Sequence, residues 1–334
     1  YGGRVYVGVL KLRFLRNPTR ERGKSDIDSC LADASGYDFP IAQPKAQLQN
    51  VGVVMTESNN VVLRSPANPT VRHLVRMRDN RARRRAERVI VDGWRESAQA
   101  LQSKLELCGV YLPESISIQP EHHTDESIRS VLEVARSQQC IHRVAESIME
   151  RIAYGQSHRG IVAEFVQPAS SLAALKVPDN PLVLVLDQIE KPGNLGAIFR
   201  SADAAGVDAI LLCDSCDLFN PNAIRSSLGS VFHIPSAPGD ESEIGEFLLG
   251  HGIRPLAARV ESSTPLWQSD LTGPLAIILG SEASGLGPSW QALAGTPIPG
   301  VRIPMLGRID SLNVSVSAAV IAMEARRQRE VARR

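Results

Sequence analysis

Residues 182–200 of the 334-residue chain read LVLVLDQIEKPGNLGAIFR. The unbroken apolar run at 182–186 is typical of a strand that is covered on both faces in a parallel sheet. Residues 196–205 then predict a helix, and 209–213 predict the next strand, so an α/β fold is expected. Ligands bind beyond the carboxyl ends of such strands, which makes the loop after Asp187 a candidate site. An ordinary strand-to-helix turn would also account for this loop.

Two further loops follow predicted strands. Residues 279–287 read LGSEASGLG, and their glycines would allow the backbone to approach a ligand closely. This loop matches neither a P-loop nor the Gly-x-Gly-x-x-Gly dinucleotide fingerprint. Residues 303–317 read IPMLGRIDSLNVSVS, in which polar residues precede an apolar helix. Ser311 at that position indicates either a site residue or a helix cap.

These three loops, in this order and spacing, resemble the signature motifs of the SpoU family within the SPOUT methyltransferases, over about residues 182–327. The resemblance implies a trefoil-knotted α/β catalytic domain at 179–334 that works as a homodimer. It also implies methyl transfer from S-adenosylmethionine to the ribose 2′-oxygen of an RNA. Ser317 stands where the family commonly has alanine, a departure that should not disturb this chemistry.

The resemblance also assigns roles to individual residues. The implied catalytic residues are Asn194, Arg200, Glu282, Ser311 and Asn313. The implied cofactor-binding residues are Leu279, Gly280, Ile303, Met305 and Leu312. The family gives the motif-one arginine a part in activating the hydroxyl, but a guanidinium is a poor proton acceptor. We therefore expect Arg200 to clamp a phosphate and to stabilise the developing alkoxide.

The N-terminal half carries a basic segment that the whole-chain charge of +1 conceals. Nine arginines and only two acids lie between Arg64 and Arg88, as in phosphate-binding surfaces. The sequence SPANP at 65–69, with these arginines and the later VDG at 91–93, resembles the substrate-binding domain ahead of many SpoU catalytic domains. A small α/β domain is expected at 61–167, with ribosomal RNA as the substrate. Its predicted helices include a basic helix from Val71 onward through the arginine-rich segment, a helix at 94–107 and a helix at 144–152. The predicted RNA contacts are Arg72, Arg83, Arg84 and Arg85.

The remaining segments and the cysteines set the cellular context. Residues 1–60 lack a sustained period and predict a partly disordered extension, and 168–178 predict a linker. The five scattered cysteines do not form a secreted disulfide framework, and the sequence offers no membrane span, so a cytoplasmic protein is expected. Cys213 and Cys216 have Cys-x-x-Cys spacing, but no second ligand pair is near, and no metal is expected.

Three other functions are compatible with parts of this pattern. A transfer RNA could be the substrate instead of ribosomal RNA. A SPOUT-like protein without activity could hold RNA through the basic segment, although a pure binder need not keep the polar motif residues. A doubly wound dehydrogenase or small-molecule methyltransferase lacks its expected glycine fingerprint here.

Overall fold

The computed structural model describes residues 61–155, 159–281 and 285–332, all of which belong to one compact unit. The predicted extension at 1–60, with its predicted disorder, lies outside the described residues. Within the described part, no helix is both long enough and apolar enough to cross a membrane.

The N-terminal part is a four-stranded sheet with helices on both faces. Its elements are α1 (Pro69–Arg76), α2 (Asn80–Ala86), β1 (Arg88–Asp92), α3 (Trp94–Gln102), β2 (Leu107–Pro113), α4 (Glu126–Ser137), β3 (Ile141–Val144), α5 (Glu146–Ile152) and β4 (Val162–Val166). The strand order is β1-β4-β2-β3, in which β4 is antiparallel to both neighbours and β2 is parallel to β3.

Successive side chains of β1 point to opposite faces of this sheet. Val89 and Val91 pack in the core that contains α3 and α4, whereas Ile90 packs with the buried residues of α1 and α5. The two helix pairs therefore cover opposite faces of the sheet.

The C-terminal part is built on a larger sheet. Its elements are β5 (Leu182–Asp187), α6 (Pro192–Ala205), β6 (Ala209–Cys213), α7 (Pro221–Ser227), β7 (Ser236–Pro238), α8 (Glu241–Gly250), β8 (Arg254–Ala258), β9 (Ser263–Pro265), β10 (Leu275–Leu279), β11 (Ala292–Leu293), β12 (Thr296–Pro297), β13 (Gly300–Arg302) and α9 (Val314–Ala332). Seven strands pair in the order β7-β6-β5-β10-β8-β13-β9, and each pairing is parallel. β11 and β12 form a separate antiparallel pair.

The central strands of the larger sheet are buried on both faces. Leu184 packs in the core with residues of α6 and α9, whereas its neighbours Val183 and Val185 pack on the α8 side. The predicted α/β fold with a parallel sheet is confirmed. The first of these cores also includes Leu112 and other residues of the smaller sheet, so the two sheets share apolar contacts.

The basic helix predicted from Val71 onward is two helices in the structure. α1 ends at Arg76, and Asp79 begins α2 by accepting a hydrogen bond from the Ala82 amide at 2.9 Å. A side-chain acceptor of this kind starts a new helix by satisfying one of its free amides. The residue pattern keeps a helical spacing through the arginine-rich segment, so it predicted one continuous helix and not two.

Other boundaries also differ from the prediction. The helix expected at 94–107 ends at Gln102, because Lys104 adopts a positive φ of 62° and Leu107 begins β2. Val144, predicted to be helical, ends the short strand β3. The segment 168–178, predicted as a linker, joins β4 to β5 and packs Leu172 and Leu175 against the α8-side core.

Candidate active site

The three motif loops leave the carboxyl ends of β5, β10 and β13. β10 pairs directly with β5, and β8 separates β10 from β13. Because these strands are parallel, their carboxyl ends meet at one edge of the sheet, where ligands bind in open α/β folds. The fold thus gathers the motifs around one site.

The first and third motifs meet through two asparagines. Asn194 lies in the first turn of α6, and Asn313 lies directly before α9, which packs on α6. The Asn313 side-chain amide donates to the Asn194 side-chain oxygen at 3.3 Å. Residues 119 positions apart in sequence are therefore in contact, as the predicted catalytic set requires.

Asn313 also shapes the beginning of α9. Its side-chain oxygen accepts from the Ser315 amide at 2.9 Å and from the Ser315 hydroxyl at 2.6 Å. Ser311 does not cap this helix, because Asn313 stands directly before it and accepts from the Ser315 amide, whereas the Ser311 hydroxyl donates to the Asp310 carboxylate at 3.3 Å. The capping alternative for Ser311 is therefore wrong, and its exposed hydroxyl lies in the motif-three loop.

Arg200 is exposed on α6, six residues after Asn194. No acid among the described residues forms an ion pair with it. Glu282, predicted at the tip of the second loop, lies outside the described residues.

The second motif closes tightly on itself. The Gly285 amide donates to the Ser281 carbonyl at 3.0 Å, and Gly285 has a φ of 70°. A Cβ at Gly280 would lie 2.3 Å from the Gly285 carbonyl oxygen, so only glycine fits there. Glycine at 280 is therefore required for the second loop to pack back against the end of β10.

The predicted cofactor residues differ in burial. Leu279 is buried at the end of β10, while Ile303, Met305 and Leu312 are half-buried in the third loop. Half-buried apolar side chains at this edge of the sheet could hold an uncharged aromatic ring and its ribose.

Asp187 is a site residue that the sequence reasoning did not single out. It ends β5 fully buried, and its carboxylate accepts from the Gly287 amide at 3.2 Å. Asp187 therefore anchors the second loop to the first strand end. A carboxylate directly after five buried apolar residues was the available signal, because a buried acid needs a specific partner.

Asp187, Cys213 and Glu241 place one potential ligand atom each within 4.8 Å of one another. Burial raises the pKa of the Asp187 carboxyl and raises the pKa of the Cys213 thiol to about 12. A metal ion at this cluster would have to displace the thiol proton, and the Asp187 carboxylate already accepts from the Gly287 amide. The expectation of no metal stays a prediction.

Three of the four predicted RNA contacts are exposed, but Arg83 is not. Arg72, Arg84 and Arg85 face solvent, whereas Arg83 is 1% exposed and forms an ion pair with Asp217. The prediction that Arg83 contacts RNA is corrected for this reason, since its guanidinium is occupied inside the fold. Successive residues of a helix are about 100° apart around its axis, so Arg83, Arg84 and Arg85 cannot all face solvent in the same direction. The composition of the segment did not show which of the three is buried.

Comparison with known proteins agrees with this geometry. Residues 181–323 match the SpoU rRNA Methylase family, and residues 68–163 match the MRM3-like substrate binding domain. The 23S rRNA (guanosine-2′-O-)-methyltransferase RlmB of Photobacterium profundum is 33% identical over 199 residues, which are 57% of this chain and 80% of that protein.

Two solved structures resemble the fold closely. A crystal structure of an RNA 2′-O ribose methyltransferase has 33% identity and a TM-score of 0.67, covering 80% of this chain and 99% of its own. The AdoMet-bound rRNA methyltransferase from Sinorhizobium meliloti has 26% identity and a TM-score of 0.70, and the match covers 80% of this chain and 97% of that one. The resemblance found in the motifs is confirmed, and the chain belongs to the SpoU rRNA methylase family.

Proposed function

We propose that this protein is an S-adenosylmethionine-dependent methyltransferase that modifies the ribose 2′-oxygen of ribosomal RNA. The observation that carries the proposal is the contact between Asn194 and Asn313, which joins two motifs at the carboxyl edge of the parallel sheet. RlmB, a relative at 33% identity, is named as a 23S rRNA 2′-O-methyltransferase, which supports the substrate class.

The residues at this edge fit the cofactor. The half-buried Ile303, Met305 and Leu312 provide apolar surface for adenosine, and glycine at 280 allows the second loop to fold back on itself at the end of β10. When bound, S-adenosylmethionine supplies a methyl group on a positively charged sulfur, open to in-line attack. Uncharged adenosine needs neither a P-loop nor a metal, in agreement with the motifs present.

The protein's own task is to orient the ribose hydroxyl. Holding two reacting groups at near-attack distance can contribute several kcal/mol, on the order of 7–11 in favourable cases. Asn194 and Asn313 are held by each other and by the first turns of α6 and α9, so they form a preorganised polar surface. Arg200, exposed on α6, clamps a neighbouring phosphate and stabilises the alkoxide as it develops.

The proposal also covers the chain knot, the role of the N-terminal domain, the oligomeric state and the cellular location. We infer that residues 179–334 carry the trefoil knot of the family, formed where the motif-three loop and α9 return to α6. Residues 61–167 act as the RNA-binding domain. The exposed Val316 and Met323 lie seven positions apart on one face of α9, which supports a homodimer through that face. A cytoplasmic location would fit a ribosomal RNA substrate.

Ribose methylation mapped on all RNA from cells with and without the gene tests the function. One or more 2′-O-methyl sites in ribosomal RNA should disappear when the gene is removed. Loss of sites in transfer RNA alone would favour the alternative substrate. An unchanged map would favour a SPOUT-like protein that only binds RNA.

A further inference from the structure

A cleft of about 230 Å³ lies between α1 and α5 on the N-terminal sheet. It is lined by Pro66, Arg72, Val75, Arg76 and Arg151. Arg72 and Arg76 are four residues apart on α1 and so share one face of that helix. Arg151 comes from the last turn of α5. The packing of α1 on α5 therefore brings three arginine side chains to the walls of one cleft.

The three arginines are available to a ligand. Each is exposed, and none has a side-chain hydrogen bond or ion pair with another residue in the described ranges. No carboxylate among the described residues lines the cleft. By contrast, Arg64 and Arg129 are neutralised by neighbouring glutamates. The cleft thus concentrates uncompensated positive charge.

The backbone beneath these arginines is fixed by two other arginines. Arg78 donates to the Arg151 carbonyl at 2.7 Å, and Arg83 donates to the Met77 carbonyl, just past α1, at 2.8 Å. The ends of both helices are held in this way, so the cleft does not have to be assembled when a ligand binds. Preorganisation of this kind reduces the entropic cost of binding.

We propose that this cleft binds one backbone phosphate of the RNA substrate. Planar guanidinium groups match phosphate oxygens with paired hydrogen bonds. The volume is below the roughly 300–1,000 Å³ of typical small-molecule pockets, which suits a phosphate better than a whole nucleotide. The inference rests on the proposed function for the identity of the ligand, and it adds Arg76 and Arg151 to the RNA contacts.

The cleft is also fixed relative to the catalytic sheet. Arg83, which holds the end of α1, forms its ion pair with Asp217 in the loop after β6. A phosphate bound at the cleft would therefore lie at a set distance from the motif loops. This relationship makes the cleft a positioning contact for the nucleotide to be methylated.

The salt dependence of RNA binding tests the cleft. The full chain would be titrated into a fluorescein-labelled RNA hairpin by fluorescence anisotropy at increasing salt, as wild type and as Arg76→Gln/Arg151→Gln. We expect weaker binding and a slope of log affinity against log salt that is smaller by about 0.7–0.9, because both arginines hold one phosphate. Circular dichroism would verify that the variant is folded.

The matched control is Arg129→Gln/Arg136→Gln, which removes two charges from α4 on the opposite face of the sheet. Its salt slope should equal that of the wild type. The cleft proposal is overturned if Arg76→Gln/Arg151→Gln keeps the wild-type slope, or if the control loses as much.

Methyl transfer to ribosomal RNA, measured separately, distinguishes the two proposals. Anisotropy reports binding whether or not a methyl group is transferred. A reduced slope without any methyl transfer by the wild type would keep the cleft and contradict the proposed function. Methyl transfer with an unchanged slope would remove the cleft and leave the function in place.

Discussion

Arg83 and Asp217 form a buried ion pair that joins α2 of the N-terminal sheet to the loop after β6 of the catalytic sheet. The side chains are 1% and 11% exposed. In the same loop, the Ser215 hydroxyl donates to the Leu186 carbonyl at 2.8 Å, close to the end of the first motif strand. The pair therefore connects the N-terminal half to the segment that carries motif one.

Asp217→Asn should destabilise the protein strongly, because it leaves the Arg83 guanidinium buried without its counter-charge. Breaking a buried pair by removing one partner costs about 3–5 kcal/mol. Urea unfolding followed by circular dichroism measures this loss. The control is Glu114→Gln in the exposed Arg64 pair, where about 0–1 kcal/mol is expected. Equal losses in the two variants would show that the buried pair does not hold the halves together.

Asp187→Asn should change how stability depends on pH. Burial raises the pKa of the Asp187 carboxyl above its ordinary 3.8, so in the window above that value the native state binds more protons than the unfolded state. Stability then falls as pH rises through this window. The asparagine does not titrate but can still accept from Gly287. The melting temperature of Asp187→Asn minus that of the wild type should therefore increase as the pH is raised from about 4 to about 8.

Asp270→Asn is the control of opposite sign. Hydrogen bonds from Thr272 lower the pKa of the Asp270 carboxyl, so its contribution is present above the ordinary pKa and is lost as pH falls. That variant should be less stable than the wild type at neutral pH and converge with it in acid. If Asp187→Asn followed the same trend, the burial argument for Asp187 would be wrong.

Gly280→Ala should impair cofactor binding. The new methyl group would lie 2.3 Å from the Gly285 carbonyl oxygen and 2.6 Å from the Leu286 amide nitrogen, so the second loop must move. Overpacking costs about 1–3 kcal/mol, and we expect S-adenosylmethionine to bind about tenfold or more weakly by calorimetry, without added divalent ion. Gly250→Ala is the control, since its Cβ would meet nothing within 4 Å. Wild-type affinity in Gly280→Ala would place the cofactor elsewhere.

Val316→Glu/Met323→Glu should separate a dimer that forms through α9. Both side chains are 45% exposed on one helical face, and two carboxylates would have to be desolvated at the interface. Analytical ultracentrifugation should show a dimer for the wild type and a monomer for this variant. Leu249→Glu, which charges an exposed apolar position on α8, should remain dimeric. A monomeric wild type would contradict the proposed assembly.

The features that depend on the local residue pattern could be predicted from the sequence. The apolar runs of β5, β6 and β10 identified a parallel sheet because both of its faces are buried, and the polar residues after the strand ends identified the motif loops. Contacts between residues that are far apart in the sequence could not be predicted from such patterns. Nothing in the arginine-rich segment distinguishes buried Arg83 from exposed Arg84, because the distinction depends on Asp217, 134 residues away.

The same reason explains two further omissions. Asp187 reaches its partner Gly287 across 100 residues, and Arg151 joins the cleft of α1 only through helix packing. Local spacing cannot reveal contacts that arise when distant strands and helices assemble. Residues that act through such contacts therefore need the structure.

The rate at which the protein forms 2′-O-methylated ribose tests the central claim most directly. Ribosomal RNA would be incubated with S-adenosylmethionine labelled in its methyl group and excess enzyme in single-turnover reactions, and the digested nucleosides would be separated. The wild type should place the label on a ribose 2′-oxygen. Arg200→Ala should lower this rate by about 10²–10³-fold, the scale for loss of one donor to a developing oxyanion, with little change in cofactor affinity. Label on a base, or a wild-type rate in Arg200→Ala, would contradict the account.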